Sequence, residues 1–160
     1  MTSIEAVDAS AIMIEKYDER IDELGSIHKG TRAVLGDVLE NPPQSVLKSG
    51  RYHDFHLITV GAALHHFADI GIAVQRLAHR LRPGGVLYIQ DMLNNNDGAT
   101  EDKKPRGFTS DEMGLLMSNA GLVNLRFEVL PGTIQIEVPI VGVLELQCFI
   151  ASGTKGSSDG

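Results

Sequence analysis

Cysteine is nearly absent: Cys148 is the single one in 160 residues. That excludes an intrachain disulfide framework and any multi-cysteine zinc site. Positive charge is thin as well. Fourteen Lys and Arg stand against twenty-one Asp and Glu, for a formal net charge of −7. The basic residues form no dense patch, and Lys103, Lys104 and Arg106 come nearest to one. General binding to nucleic acid or to an anionic membrane needs clustered Lys and Arg, so neither is expected as a partner. No window approaches the roughly eighteen unbroken apolar residues of a membrane span. Met1 to Ile4 lack the charged region and long apolar stretch of a signal peptide, and the expected setting is cytoplasmic. No internal repeat is visible. What is present is a 42% hydrophobic chain, long enough for one domain that buries roughly two-thirds of its unfolded surface.

Short apolar runs alternate with longer helical patterns, which predicts a parallel sheet covered by helices, an α/β fold. A first strand runs from Ile4 to Asp8. Ser10 then stands as N-cap of a helix with Ile14, Tyr17, Ile21 and Leu24 on one face, ended by Gly25. A second strand, Arg32 to Leu35, enters Gly36-Asp37. Asn41-Pro42-Pro43 breaks the chain, and Ser45 to Ser49 suits a short helix. Phe55 to Val60 is the third strand, ended by Gly61, with a turn over Ala62 to Phe67. Asp69 caps the clearest helix, whose Ile70, Ala73, Val74, Leu77, Ala78 and Leu81 share one face.

Pro83-Gly84-Gly85 stops that helix before a buried strand, Val86 to Ile89. Asn94 to Gly107 is polar and reads as a surface loop. Thr109 or Ser110 caps a last helix through Met113, Leu116 and Met117 to Ala120. Two closing strands follow, Leu125 to Leu130 and Leu144 to Ser152. Between them Pro131 to Gly142 is either a strand pair or a loop over a pocket, with Ile134, Ile136, Val138, Ile140 and Val141 as its apolar residues. The domain is expected to span residues 1–154, with residues 155–160 a disordered tail; small polar residues begin at Gly153. Cys148, in an alternating apolar run, is expected to be buried and inert.

Ligands of open α/β sheets bind at the carboxyl ends of strands. Asp8 ends the first strand, and a carboxylate there can accept two hydrogen bonds from a ribose diol. Asp37 ends the second, where an acid beside exposed amides can read an adenine edge. Gly61-Ala62 ends the third, where small residues let a ligand approach the backbone. Taken singly, an Asp at a strand end reads more readily as a turn former. His65 and His66, with His53 and His56 upstream, invite thoughts of a metal, but no helical His pair or metal motif accompanies them and none is expected. An imidazole at a pocket mouth can instead serve as a general base, or pack the turn onto the next helix.

The segments VDAS, GDVLENP, FHLITVGAALHHFAD and LAHRLRPGGVLYIQDM follow one another at strand-end spacing. In this the chain resembles the class I S-adenosylmethionine-dependent methyltransferases, in their small-molecule branch, from about Ile4 to Thr154. The most specific stretch is Ala63 to Asp91. The resemblance implies a Rossmann-like sheet with a closing antiparallel strand pair, S-adenosylmethionine as cofactor and a small-molecule acceptor. Residue by residue, it implies that Asp8 holds the ribose hydroxyls, with Ala9 and Met13 near the adenine or its ribose. It sets Asp37 and Val38 beside the adenine amino group, and Gly61 and Ala62 beside the methionine portion and the methyl donor. His65 and His66 match the family's frequent histidine pair and are the candidate catalytic residues. Arg82 to Gly85 match a structural turn.

One family feature has no counterpart here: the first strand with its acid-x-Gly-x-Gly-x-Gly loop. By the size of a βαβ element the difference is about 30 residues, so the sheet is expected to be incomplete at the N-terminal end. Three readings are open: a truncated methyltransferase, the preferred one; an inactive homologue; and one piece of a split protein. The last two keep a non-catalytic binding or interaction module as the alternative function. Self-association or a complementing chain at unpaired strand edges goes with them. A nicotinamide-dependent oxidoreductase also suits Asp8, but LRPGG and the closing strands argue against it.

Overall fold

The computed structural model describes residues 3–25, 30–40, 45–94, 107–138 and 142–157. The chain divides into two units, Met1–Tyr52 and His53–Gly160. In the first, β1 (Ile4–Asp8) and β2 (Thr31–Leu35) pair in parallel, with Ile4 opposite Thr31 and Asp8 opposite Leu35. The connection is helix α1 (Ala11–Leu24). Its expected apolar residues Ile14, Tyr17 and Ile21 are half-buried, Leu24 is exposed, and no residue of the helix is fully buried. Tight helical turns at Ser45–Lys48 and Gly50–Tyr52 close the unit.

Leu47 and Tyr52 are the apolar side chains buried here. Arg51 Nε donates to Glu5 Oε1 at 2.6 Å, tying the last turn to β1. The Glu5 side chain is 2% exposed, and among the described residues its Oε2 has no partner. A buried carboxylate held by one charge-assisted bond is a contact whose loss costs more than its presence gains. Ser10 stands at the N-cap of α1 without capping it: its hydroxyl makes no bond to the helix, and its own amide donates to Asp8 Oδ1 at 2.8 Å.

The second unit holds a four-stranded sheet in the order β3-β4-β8-β5. Its strands are β3 (Phe55–Gly61), β4 (Leu81–Met92), β5 (Leu122–Val129) and β8 (Cys148–Lys155), with β6 (Ile134–Val138) and β7 (Gly142–Leu146) forming a separate antiparallel ribbon. β3 and β4 are parallel and joined through α2 (Ile70–Arg80), whereas β8 runs antiparallel to both β4 and β5. Helix α3 (Ser110–Asn119) precedes β5. Asp69 Oδ1 accepts from the Ile72 amide at 2.9 Å and Thr109 Oγ1 from the Glu112 amide at 3.2 Å, so both helices start on side-chain caps. Among the described residues, β1 has β2 as its sole ladder partner and β3 has β4.

The core belongs to this unit. Ile70, Ala73, Val74, Leu77 and Ala78 of α2 are buried, as the helical spacing predicts. Leu87 and Ile89 of β4 and Phe149 of β8 are wholly inaccessible. Phe149 stacks on Phe127 with ring centroids 4.6 Å apart and meets Phe108 edge-on at 6.1 Å.

Several expected boundaries move. Leu81 is the first residue of β4 rather than the last of the helix, and β4 is longer than the expected Val86 to Ile89 because Arg82 to Gly85 form an excursion within it. Phe55 lies opposite Leu81 and Leu57 opposite Val86, so one residue of β3 spans four of β4. Gly84 there adopts φ +74°, and a Cβ on Gly85 would sit 2.6 Å from the Phe55 carbonyl oxygen. Backbone-to-backbone approach of this kind admits glycine alone.

The expected strand Leu144 to Ser152 is two strands that part at Gln147, and β6 supplies the partner of the first. β5 starts at Leu122, earlier than the expected Leu125. β8 continues through Gly153 and Thr154 to Lys155, where a tail is expected. The reason is local: Lys155 Nζ donates to the carbonyls of His79 at 3.0 Å and Leu81 at 2.6 Å, caring for the C-terminal end of α2. Asn41-Pro42-Pro43, most of the expected loop Asn94 to Gly107 with its Lys103, Lys104 and Arg106, and Ile140 and Val141 lie outside the described residues. No helix among the described residues is long and apolar enough to cross a membrane.

Candidate active site at the carboxyl edge of the second unit

Because β3 and β4 are parallel, their carboxyl ends lie at one edge. β3 runs out at Gly61, opposite Gln90, and the Ala62 amide donates to the Gln90 carbonyl at 2.8 Å. Ala62 takes φ +46°, left-handed backbone that costs a residue with a Cβ about 1 kcal/mol or more. That turn is exposed, and a Cβ at Gly61 would meet nothing within 4 Å, so a ligand can approach this backbone freely.

Leu64 is fully buried and anchors the tight turn Leu64–His66, which carries both histidines. His65 is held and His66 is not. Asp91, the next residue of β4 after Gln90, has a side chain with no solvent exposure. Its Oδ1 accepts from His65 Nδ1 at 2.7 Å and from the Met92 amide at 2.8 Å, and its Oδ2 accepts from the His65 amide at 3.3 Å. Three donors thus converge on one buried side chain. With Oδ1 as acceptor, His65 uses Nδ1 as the donor of this bond, and Nε2 is the ring nitrogen on the other side. The His65 side chain is 10% exposed. The His66 ring is exposed, lies 3.9 Å from that of His65 at 47°, and has no hydrogen-bond partner among the described residues.

Asp91 is the residue of this turn's surroundings that sequence reasoning left unassigned. It closes the most specific stretch of the resemblance, yet a strand-end Asp carries no sign that a turn 26 residues earlier supplies its partner. Cys148 stands opposite Met92 in the β4–β8 register and is half-buried rather than buried. Desolvation first, and then the charge of Asp91, raise its thiol above the ordinary range. Among the described residues no three His, Cys, Asp or Glu side chains are grouped to hold a metal ion.

In the first unit, Asp8 and Asp37 lie at one end of the two-stranded sheet, where the Gly36 amide donates to the Asp8 carbonyl at 2.9 Å. Both acids do serve local turns, Asp8 Oδ1 on the Ser10 amide and Asp37 Oδ1 on the Leu39 amide at 2.7 Å. Among the described residues, the second oxygen of each has no hydrogen-bond partner. Asp8, Ala9 and Met13 are exposed, and Asp37 and Val38 are half-buried. Two clefts of about 300 and 290 Å³ lie elsewhere on the second unit, the larger bounded by Met113, Met117 and Phe127 and the smaller by Asp69, Gln75 and Leu116. Neither includes the histidine turn.

Neither a protein-family model nor a curated protein matches the chain. Solved structures do match. The YcgJ protein of Bacillus subtilis is similar with a TM-score of 0.70 at 16% identity, over 98% of this chain and 83% of that one. An S-adenosylmethionine-dependent methyltransferase from Thermotoga maritima gives 0.64 at 19% identity, over 95% of this chain and 72% of that one. The cyclase SpnF gives 0.66 at 14% identity, over 98% and 67%. The fold is therefore Rossmann-like α/β, that of the class I S-adenosylmethionine-dependent methyltransferases. SpnF shows that such a fold also serves a cyclase, so the reaction has to be argued from the site.

Proposed function

We propose that the chain transfers a methyl group from S-adenosylmethionine to a small-molecule acceptor, at the carboxyl edge of β3 and β4. The observation that carries this is the His65–Asp91 pair standing beside the open Gly61–Ala62 turn of a methyltransferase fold. The residues present suit the methyl donor. Within the second unit Gly61 leaves its backbone open to a ligand; within the first, Asp8 and Asp37 are carboxylates at strand ends, of the kind that accepts from a ribose hydroxyl or an adenine amino group. Met13, 49% exposed, offers apolar surface of the kind an adenine ring covers.

When bound, S-adenosylmethionine supplies a sulfonium already strongly electrophilic. The chain's part is then to orient the acceptor, exclude water and accept a proton. His65 suits proton acceptance, since Asp91 fixes its tautomer and stands ready to face an imidazolium. His66, exposed and untethered, suits contact with the acceptor. The small-molecule acceptor is what the resemblance implies, and the charge of −7 speaks against a polyanionic one.

Equilibrium titration with S-adenosylmethionine tests the proposal. Saturable binding is expected, with competition by the demethylated product and weakening by Asp8→Ala. A folded sample that binds neither compound overturns it and leaves a fold that acts without methyl transfer.

A further inference from the structure

We infer that the free edge of β3 is an interface, on which a second copy of this chain pairs its own β3 and joins the two four-stranded sheets into one. The pairing needs no methyl donor and stands independently of the reaction proposed above.

Edge strands present unpaired amides and carbonyls, and soluble proteins guard them with charge, proline or a bulge. This chain guards its others. Among the described strands that border a sheet, β1 carries Glu5, β2 Arg32, β6 Glu137 and β7 Glu145. β5, the opposite edge of the four-stranded sheet, carries Arg126. Its ladder to β8 is also interrupted between Val123 and Arg126, where Asn124 takes φ +54°. β3 has none of these devices. Its seven residues include no proline and no Asp, Glu, Lys or Arg, and from Leu57 to Gly61 it keeps unbroken register with β4. Leu57 is 55% exposed, and Thr59 and Gly61 are exposed as well. An uncharged edge of this length is the kind that takes another strand.

The backbone shows which groups are on offer. The Ala62 amide points to β4, where Gln90 accepts it. Alternation along the strand turns the amides of Ile58 and Val60 to β4 too, and those of Leu57, Thr59 and Gly61 to the free edge. Among the described residues no strand lies on that side to accept them. The strand's own pattern then selects the occupant. A two-fold contact between identical edges runs the two copies antiparallel. With Ile58, the middle residue of β3, on the axis, the outward groups of Leu57 bond those of Thr59 of the partner subunit. Ile58 then faces its own copy across the closer, non-bonded pair. Apolar and β-branched side chains oppose one another, and no like charges meet. The same pairing of β1 would instead crowd Glu5 and Asp8 of both copies onto one ladder. Because each copy covers the other's unguarded edge, the assembly closes at two.

Two measurements test it. Sedimentation equilibrium of the full chain, over roughly micromolar to hundred-micromolar concentration, is expected to show monomer and dimer and no larger species. Thr59→Pro removes an amide that faces the free edge and leaves the ladder to β4 intact. It is expected to raise the dimer dissociation constant at least about tenfold, and Thr59→Lys to act in the same direction through charge. Should Thr59→Pro not fold, Thr59→Lys decides alone, since it alters only an exposed side chain. Cysteine cross-linking then reads the register. In a Cys148→Ser background, Ile58→Cys is expected to form an intermolecular disulfide on oxidation. Thr59→Cys is not, because each Thr59 lies opposite Leu57 of the partner subunit. A chain that stays monomeric overturns the inference and leaves the edge to a strand from a different polypeptide. Open-ended polymers, a dimer indifferent to both Thr59 changes, or cross-linking at position 59 in place of 58 overturn it as well.

Discussion

Helices α1 and α2 each follow a strand of a parallel pair, and each repeats apolar residues at helical spacing; α2 buries five of its residues and α1 buries none. The spacing identifies which face turns inward in both. How deeply that face is covered depends on what it packs against. α2 lies in the unit with the four-stranded sheet and has α3 as a neighbour, whereas α1 has two strands. Of the twenty apolar side chains buried among the described residues, eighteen belong to the second unit. Two-stranded sheets are marginal in water, and hydrophobic stabilisation scales with the apolar area removed from it. Stability in this chain is therefore concentrated in residues 53–157, together with the histidine turn and its carboxylate.

Amide hydrogen exchange gives that contrast its sharpest form. Leu87, Ile89 and Ala151 in the buried strands are expected to exchange at least about a thousandfold more slowly than amides in the middle of α1. Equal protection in the two units would break the comparison outright. Truncation of the core reads it as free energy: Phe149→Ala is expected to cost about 3–5 kcal/mol in urea unfolding followed by a probe in the second unit. Ile14→Ala, on a half-buried position of α1, is expected to cost less than about 1 kcal/mol on the same measure.

The caps sharpen it further. Asp69→Ala and Thr109→Ala each remove a made bond and are expected to cost about 1 kcal/mol, while Ser10→Ala is expected to fall within a few tenths of the unaltered chain. A Ser10 effect as large as the other two would show that its hydroxyl caps α1 after all. The smallest effect concerns Cys148. Its thiol is raised in the folded chain, so the unfolded chain loses that proton first as pH climbs. Stability from this group is thus intact below the ordinary thiol range and falls above it. Iodoacetamide is expected to label Cys148 more slowly in the folded chain than in urea at mildly alkaline pH, and Asp91→Asn to narrow that gap.

Much of the second unit was legible from local chemistry. Asp69 and Thr109 read as caps because their side chains act within three residues, and Ile70 to Ala78 read as a buried face because helical spacing is a local repeat. Pro83-Gly84-Gly85 read as a turn, and a turn it is. That β3 and β4 remain paired on both sides of it depends on Phe55, whose carbonyl lies against Gly85 from a distant part of the sequence. The extent of β8 was likewise hidden, since small polar residues such as Gly153 and Ser152 look like a tail until Lys155 finds the end of α2. His65 and His66 were nominated together because adjacent histidines are indistinguishable in a string.

The sequence by itself determined what local rules control: the alternation of strands and helices, the inward faces, the caps, the acids at strand ends and the thin basic charge that sets polyanions aside. Tertiary structure alone decided what depends on residues meeting across the chain. It set His65 apart from His66 by bringing Asp91 to its Nδ1, because the parallel register of β3 and β4 places Gln90 beside Gly61 and the next residue beside the turn. It also gave α2 a deep bed and α1 a shallow one, because burial is a property of the neighbours a helix finds and not of its own spacing.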